Sequence, residues 1–203
     1  MSLNVTRRWA LAGMFAAGLV AGLTMSGTVS ALQGGISGAK DPKALDVLIA
    51  KDAIREQLFN YARGLDRMDR PLALSVWHDD AVVNSGGKDM TGPQWIDSAW
   101  RTHERIHSHA HTMGNVQIKV TGDKAVSETY FIASLRAEPT AESSDTSLIR
   151  GRYNDRWALR NGKWAMTYRR IIVDFRTNDV TTTKNPNSAG KRDRTDPSYG
   201  IYD

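Results

Sequence analysis

The chain contains no cysteine. That excludes a disulfide framework, thiolate chemistry, a cysteine ligand for a metal and a lipidated N-terminal cysteine. It also lacks a glycine-rich phosphate loop, an internal repeat, and any stripe of Lys and Arg interleaved with aromatic residues. Nothing in it therefore points to nucleotide or nucleic-acid recognition. Residues 1–9 carry Arg7 and Arg8 but no acid, and the apolar run from Ala10 to Met25 is diluted with glycine. That run is short beside the roughly 20 apolar residues that a spanning helix needs. With the small-x-small ending Val29-Ser30-Ala31 it reads as a cleavable secretory signal over residues 1–31. The Thr6-Arg7-Arg8 start resembles a twin-arginine signal, although Ala10 follows Trp9 where such signals usually carry Phe. The expected location is the bacterial periplasm or beyond, with no stable membrane contact after cleavage.

What is present suits one soluble domain. Of 203 residues, 40% are apolar and 24% charged, so a sizeable core is possible without a second domain. The net charge of +5 includes the leader, and without residues 1–31 the chain has 25 basic and 22 acidic residues. Residues 32–43 are rich in Gly and Ser and read as a linker, and residues 177–203 read as an irregular tail.

Between them, residues 44–176 carry strong periodic signals. Over 44–68, Ile54, Leu58, Ala62 and Leu65 fall within about 40° of one line at 100° per residue, which is one apolar stripe of a long helix. Tyr61 and Asp66 flank that stripe near its end. Pro71 suits the start of a short helix, 71–78. Residues 81–84 read as a strand ended by Gly86-Gly87. Thr91 is a helix N-cap with Pro93 in the first turn, for a helix to Ile106. Four strand-like stretches follow, 108–120, 124–138, 147–160 and 163–176. They are separated by Thr121-Gly122-Asp123, a loop at 139–146, and Asn161-Gly162, a strong hairpin signal. Helices followed by strands are an α+β order, in which a bent antiparallel sheet curls around the long helix and leaves a pocket.

Several candidate functional residues stand out. Asp66, at the edge of an apolar stripe, needs a partner if buried, and four of the five histidines lie between 103 and 111. His107, His109 and His111 alternate, so on a strand they share a face. That pattern is compatible with a three-histidine metal site, but no supporting acid is evident and no metal is expected. On residues 149–157 the alternation separates Arg150, Arg152, Asn154 and Arg156 from Ile149, Gly151, Tyr153 and Trp157. An Arg and Asn face turned into a pocket would stabilise a developing oxyanion. The face with Tyr153 and Trp157 would then lie outside and pair copies into a dimer, trimer or other homo-oligomer.

Several segments together resemble SnoaL-like proteins of the nuclear transport factor 2 superfamily. They are Ala53 to Leu58 with Tyr61 to Asp66, Trp77-His78-Asp79-Asp80-Ala81-Val82, His111-Thr112-Met113-Gly114-Asn115, and Gly151 to Trp157 with Arg160 to Trp164. The resemblance implies a cone-shaped barrel in which the sheet wraps around the long N-terminal helix, with two further helices. It also implies a cofactor-free proton-transfer enzyme such as scytalone dehydratase, the bile-acid dehydratases or hexachlorocyclohexane dehydrochlorinase. By that likeness Asp66 and His111 match the family's Asp–His pair, Tyr61 a dehydratase tyrosine, and Arg152 a dehydratase arginine. The expected substrate is a small hydroxylated or cyclic molecule. Trp77, Asn84, Trp100, His109, Met113, Tyr130, Arg150 and Asn154 are the candidate contacts, and His109 is the alternative base. The competing reading is a non-catalytic module of the same fold that holds a small ligand or a protein partner, with Trp77, Trp95, Trp100 and Tyr130 as its wall.

Overall fold

The long helix α1 spans Pro42–Asp66 and ends because its backbone turns into a left-handed residue. Met68 has φ 51°, Met68 N–H bonds Leu65 O, and Asp69 N–H bonds Gly64 O at 2.8 Å. This paired closure caps the last carbonyls and fixes where Asp66 stands. Helix α2, Arg70–Ser75, starts at once, capped by the Asp69 carboxylate on Leu72 N–H. It packs so closely on α1 that a Cβ at Gly64 would sit 2.6 Å from the Ala73 nitrogen. The computed structural model describes residues 42–138, 144–181 and 190–200. The expected signal peptide, most of the expected linker and part of the 139–146 loop lie outside them.

Strand β1, Trp77–Ser85, turns through Gly86-Gly87 into the short β2, Lys88–Thr91. Helix α3, Gly92–His103, follows with a reciprocal capping box between Thr91 and Gln94. Strands β3 (Ser108–Thr121), β4 (Lys124–Arg136), β5 (Ser144–Arg160) and β6 (Lys163–Thr181) then form successive antiparallel pairs. The sheet order is β2-β1-β6-β5-β4-β3, and its one parallel pairing joins β1 to β6. Asn161 and Gly162 both have positive φ, as the hairpin signal required.

The architecture is the expected α+β cone: one curved, unclosed sheet with α1 lying against it. Ile54, Leu58, Tyr61 and Leu65 of α1 meet Phe131, Tyr153, Trp157 and Met166 of the sheet, all buried. Burying a side chain of this size contributes about 1.5–3 kcal/mol each, before the entropy cost.

Several expectations need correction. The short helix expected at 71–78 is Arg70–Ser75, and the strand expected at 81–84 already starts at Trp77. Helix α1 begins at Pro42, inside the expected linker, and ends at Asp66 rather than 68. Helix α3 ends at His103, three residues before Ile106. Strand β6 continues to Thr181, inside the expected irregular tail, whereas residues 190–200 are irregular apart from the 3-10 turn Pro197–Tyr199. Asp196, 4% exposed, accepts Lys191 N–H and Ser198 N–H and pairs with Arg67, which fastens this segment to the end of α1. Finally, the faces of β5 are reversed. Tyr153 and Trp157 are 3% and 1% exposed and point into the cone, so they are not an outer oligomer patch. The Arg150, Arg152, Asn154 and Arg156 face is the outer one, because packing α1 against the sheet requires the aromatic side.

Candidate active site

Asp66 is the last residue of α1 and faces strand β3. Its carboxylate accepts the His111 backbone N–H, at 3.1 and 2.9 Å to its two oxygens. It also receives the His111 ring, with Nδ1 to Oδ1 at 2.7 Å. The His111 side chain is 6% exposed and the Asp66 side chain 15%. A carboxylate on Nδ1 fixes the proton there and leaves Nε2 as the basic nitrogen.

His111 lines a cavity of about 250 Å³ between α1, α3 and the inner face of the sheet. One wall is apolar, with Phe131, Ala133, Ile149 and Ile171. Tyr61, Ser98, Thr102 and His103 bring polar atoms to the other side. The Phe131 and Tyr153 rings stack at 4.2 Å. This needs a glycine at 151, since a Cβ there would meet the Phe131 ring at 2.9 Å and Ile172 O at 2.1 Å.

Tyr61 is fully buried at the base of the cavity, and its hydroxyl accepts the Trp95 indole N–H at 2.9 Å. Behind it stands an ion pair that sequence reasoning missed. Arg169 donates from Nε and Nη2 to the two Asp155 carboxylate oxygens at 2.7 and 2.8 Å, and both side chains are fully buried. The Arg169 guanidinium lies 4.3 Å from the Tyr61 ring and 4.0 Å from the Tyr153 ring. Its Nη1 has no partner among the described residues. Burial pushes the Tyr61 hydroxyl above its ordinary value, and Arg169 pulls against that shift. Burial also opposes the charge of Arg169, but the Asp155 carboxylate outweighs it and holds the guanidinium above its usual range. A buried pair was the available signal, because Asp155 falls on the apolar side of an alternating strand.

The histidines divide by environment. His109 is buried, donates from Nε2 to Leu65 O at 2.7 Å, and accepts from Arg192 at Nδ1 at 3.4 Å. Both its nitrogens are thus committed behind the cavity wall. His103 stacks on His109 at 4.0 Å, lines the cavity, and has a buried Nδ1 without a partner among the described residues. Burial, then His109, His111 and Arg192, lower its pKa from 6.5 to about 3, so it is neutral at ordinary pH. His107 is exposed and pairs with Glu138 at 3.3 Å. Among the described residues no group of three or more His, Cys, Asp or Glu side chains is arranged to hold a metal.

Of the candidate residues, the fold brings together Asp66, His111 and Tyr61. Arg152 is not with them. It lies on the outer face, bonded to Asp174 and Glu128. Arg150, Asn154 and the half-exposed Tyr130 share that outer face, because they alternate with the buried residues of β4 and β5. Asn84 alternates with the buried Val83, faces outward, and bonds Asp89. Trp77 is buried under Gly92 with its N–H on Ala73 O at 3.0 Å. Trp100 and Met113 pack against the core, outside the cavity lining.

The SnoaL-like domain model matches residues 46–170. No curated protein matches the chain. Among solved structures, a type 2 hexachlorocyclohexane dehydrochlorinase is similar with a TM-score of 0.61 and 20% identity, over 71% of this chain and 99% of that one. The type 3 enzyme from Novosphingobium barchaimii gives 0.59 and 21% over 70% and 98%. A candidate scytalone dehydratase from Novosphingobium aromaticivorans gives 0.57 and 18% over 71% and 97%. At these identities the likeness establishes the fold.

Proposed function

The chain belongs to the SnoaL-like domain family, and from that premise and the geometry of its cavity we propose that it is a cofactor-free lyase or isomerase acting on a small hydroxylated or cyclic substrate. The observation that carries this reading is the 2.7 Å bond between Asp66 and His111 at the wall of the cavity. The likeness in fold to dehydrochlorinases and a candidate dehydratase supports the reaction class.

In this reading His111 Nε2 removes a proton from carbon next to a carbonyl or to a carbon bearing a leaving group. The C–H electron pair becomes the new double bond, or, in an isomerisation, an enolate that takes the proton back from the His111 imidazolium at another carbon; Asp66 stabilises the imidazolium meanwhile. In an elimination the bond to the leaving oxygen breaks, and the Tyr61 hydroxyl supplies its proton. Arg169, just behind the ring, offsets the cost of the transient phenolate. Neutral His103 offers a further hydrogen bond to a substrate oxygen.

The test is turnover of a panel of cyclic β-hydroxy ketones, read by the absorbance of the conjugated product, with circular dichroism as the folding control. Asp66→Asn and His111→Ala should each reduce turnover about a hundred- to ten-thousandfold. The double variant should cost little more than the worse single one, since the two act as a unit. Near-wild-type turnover in folded His111→Ala would overturn the pair. Ligand binding with no turnover of any member would favour the non-catalytic module.

A further inference from the structure

Strand β6 carries one extra residue against β5. Arg150 pairs with Phe175 but Gly151 pairs with Val173, so Asp174 bulges out of register. Residues directly opposite in a sheet share a face, and a one-residue slip exchanges the faces of everything beyond it. Before the bulge, Ile171 and Val173 oppose Tyr153 and Gly151 and line the cavity. After it, Arg176 opposes Ile149, and Arg176 lines the cavity while Phe175 is turned outward under Arg150. Without the bulge, Phe175 would take the inner position. On the outer face Arg152 holds the Asp174 carboxylate, with Nη2 to Oδ1 at 3.1 Å, which ties the bulge in place.

Arg176 is thus a cation delivered to the cavity rim by an irregularity of the strand. Its side chain is exposed and makes no ion pair or hydrogen bond with any described residue. The groups beside it in the cavity are Ile149, Val173 and Leu135, none of them acidic. We propose that Arg176 is a specificity-determining residue that binds the carboxylate of a small substrate, whose apolar body fills the cavity and whose reacting end reaches His111. The planar guanidinium fork matches a carboxylate in a bidentate pair. The cavity, at about 250 Å³, is smaller than those that hold drug-sized ligands, roughly 300–1,000 Å³, so the body is on the scale of one ring. This rests on the reading of the cavity as the substrate site.

The experiment is an NMR titration of the full chain with benzoate and with benzamide, its neutral isostere, at low and high salt. Benzoate should shift cavity amides and bind about three- to tenfold tighter than benzamide, the range of a partly exposed but bidentate charge contact. Arg176→Gln should remove that preference by weakening benzoate alone. Arg176→Lys should keep part of it, and Arg156→Gln, on the outer face, all of it. High salt should erode it. Equal affinity for the two probes, a preference that survives Arg176→Gln, benzoate shifts outside the cavity, or no benzoate binding would each overturn the proposal. None of these outcomes bears on the Asp66–His111 pair, which stands or falls on the turnover of its own variants.

Discussion

Arg169 is fully buried with one acid and three aromatic rings around it, and this sets how it responds to change. Removing one partner of a buried ion pair leaves the other charge desolvated and typically costs about 3–5 kcal/mol. Arg169→Met should therefore unfold at markedly lower denaturant than wild type, by an amount of that order, and Asp155→Asn likewise. Replacing both partners together should cost less than the sum of the two single changes. Equilibrium urea unfolding of the three variants measures this, and additive losses would mean the residues are not coupled. Tyr61→Phe keeps the ring over Arg169 and loses only the hydroxyl, so it should affect turnover more than stability.

At the scale of elements, the closure of α1 matters most, because it sets Asp66 opposite β3. The left-handed position is held by Met68, where glycine would carry no steric penalty. A non-glycine residue in that region costs about 1–2 kcal/mol. Met68→Gly should therefore raise stability, by up to about 1 kcal/mol after the gain in unfolded-chain entropy, and leave turnover unchanged. Thermal unfolding would show it. A lowered melting temperature would mean that the half-buried Met68 side chain contributes more by packing than its backbone conformation costs.

The whole molecule should respond to acid through its stacked histidines. The folded chain keeps His103 neutral down to about pH 3, whereas the unfolded chain takes up a proton near 6.5. His109 is shifted in the same direction, chiefly by burial. Between those limits the unfolded state binds more protons, so stability should be level above about pH 6.5 and fall as pH drops below it. The slope is at most about 1.4 kcal/mol per pH unit for each histidine. Urea unfolding from pH 7.5 to 4 measures it, and His103→Gln should flatten the curve. An unchanged slope in that variant would assign the acid sensitivity elsewhere.

Apart from the short β2 and the start of β1 at Trp77, the α+β order, the main helices and strands, the Asn161-Gly162 hairpin and the contact of Asp66 with His111 were legible in the sequence. Each rests on local periodicity, turn chemistry or a family motif quoted residue by residue. Which side of β5 faces inward was not. Alternation separates Arg150, Arg152 and Asn154 from Tyr153 and Trp157, but it does not say which set meets α1. Only packing against a helix decides that, and it moved Arg152 outside and made Arg169 the buried cation. Nor could pattern reveal the Asp174 bulge, because one residue out of register leaves composition unchanged while exchanging Phe175 for Arg176 at the cavity. The sequence determined which residues could do chemistry. The tertiary structure decided which of them share a cavity, because long-range pairing between strands sets side-chain direction and no local signal carries it.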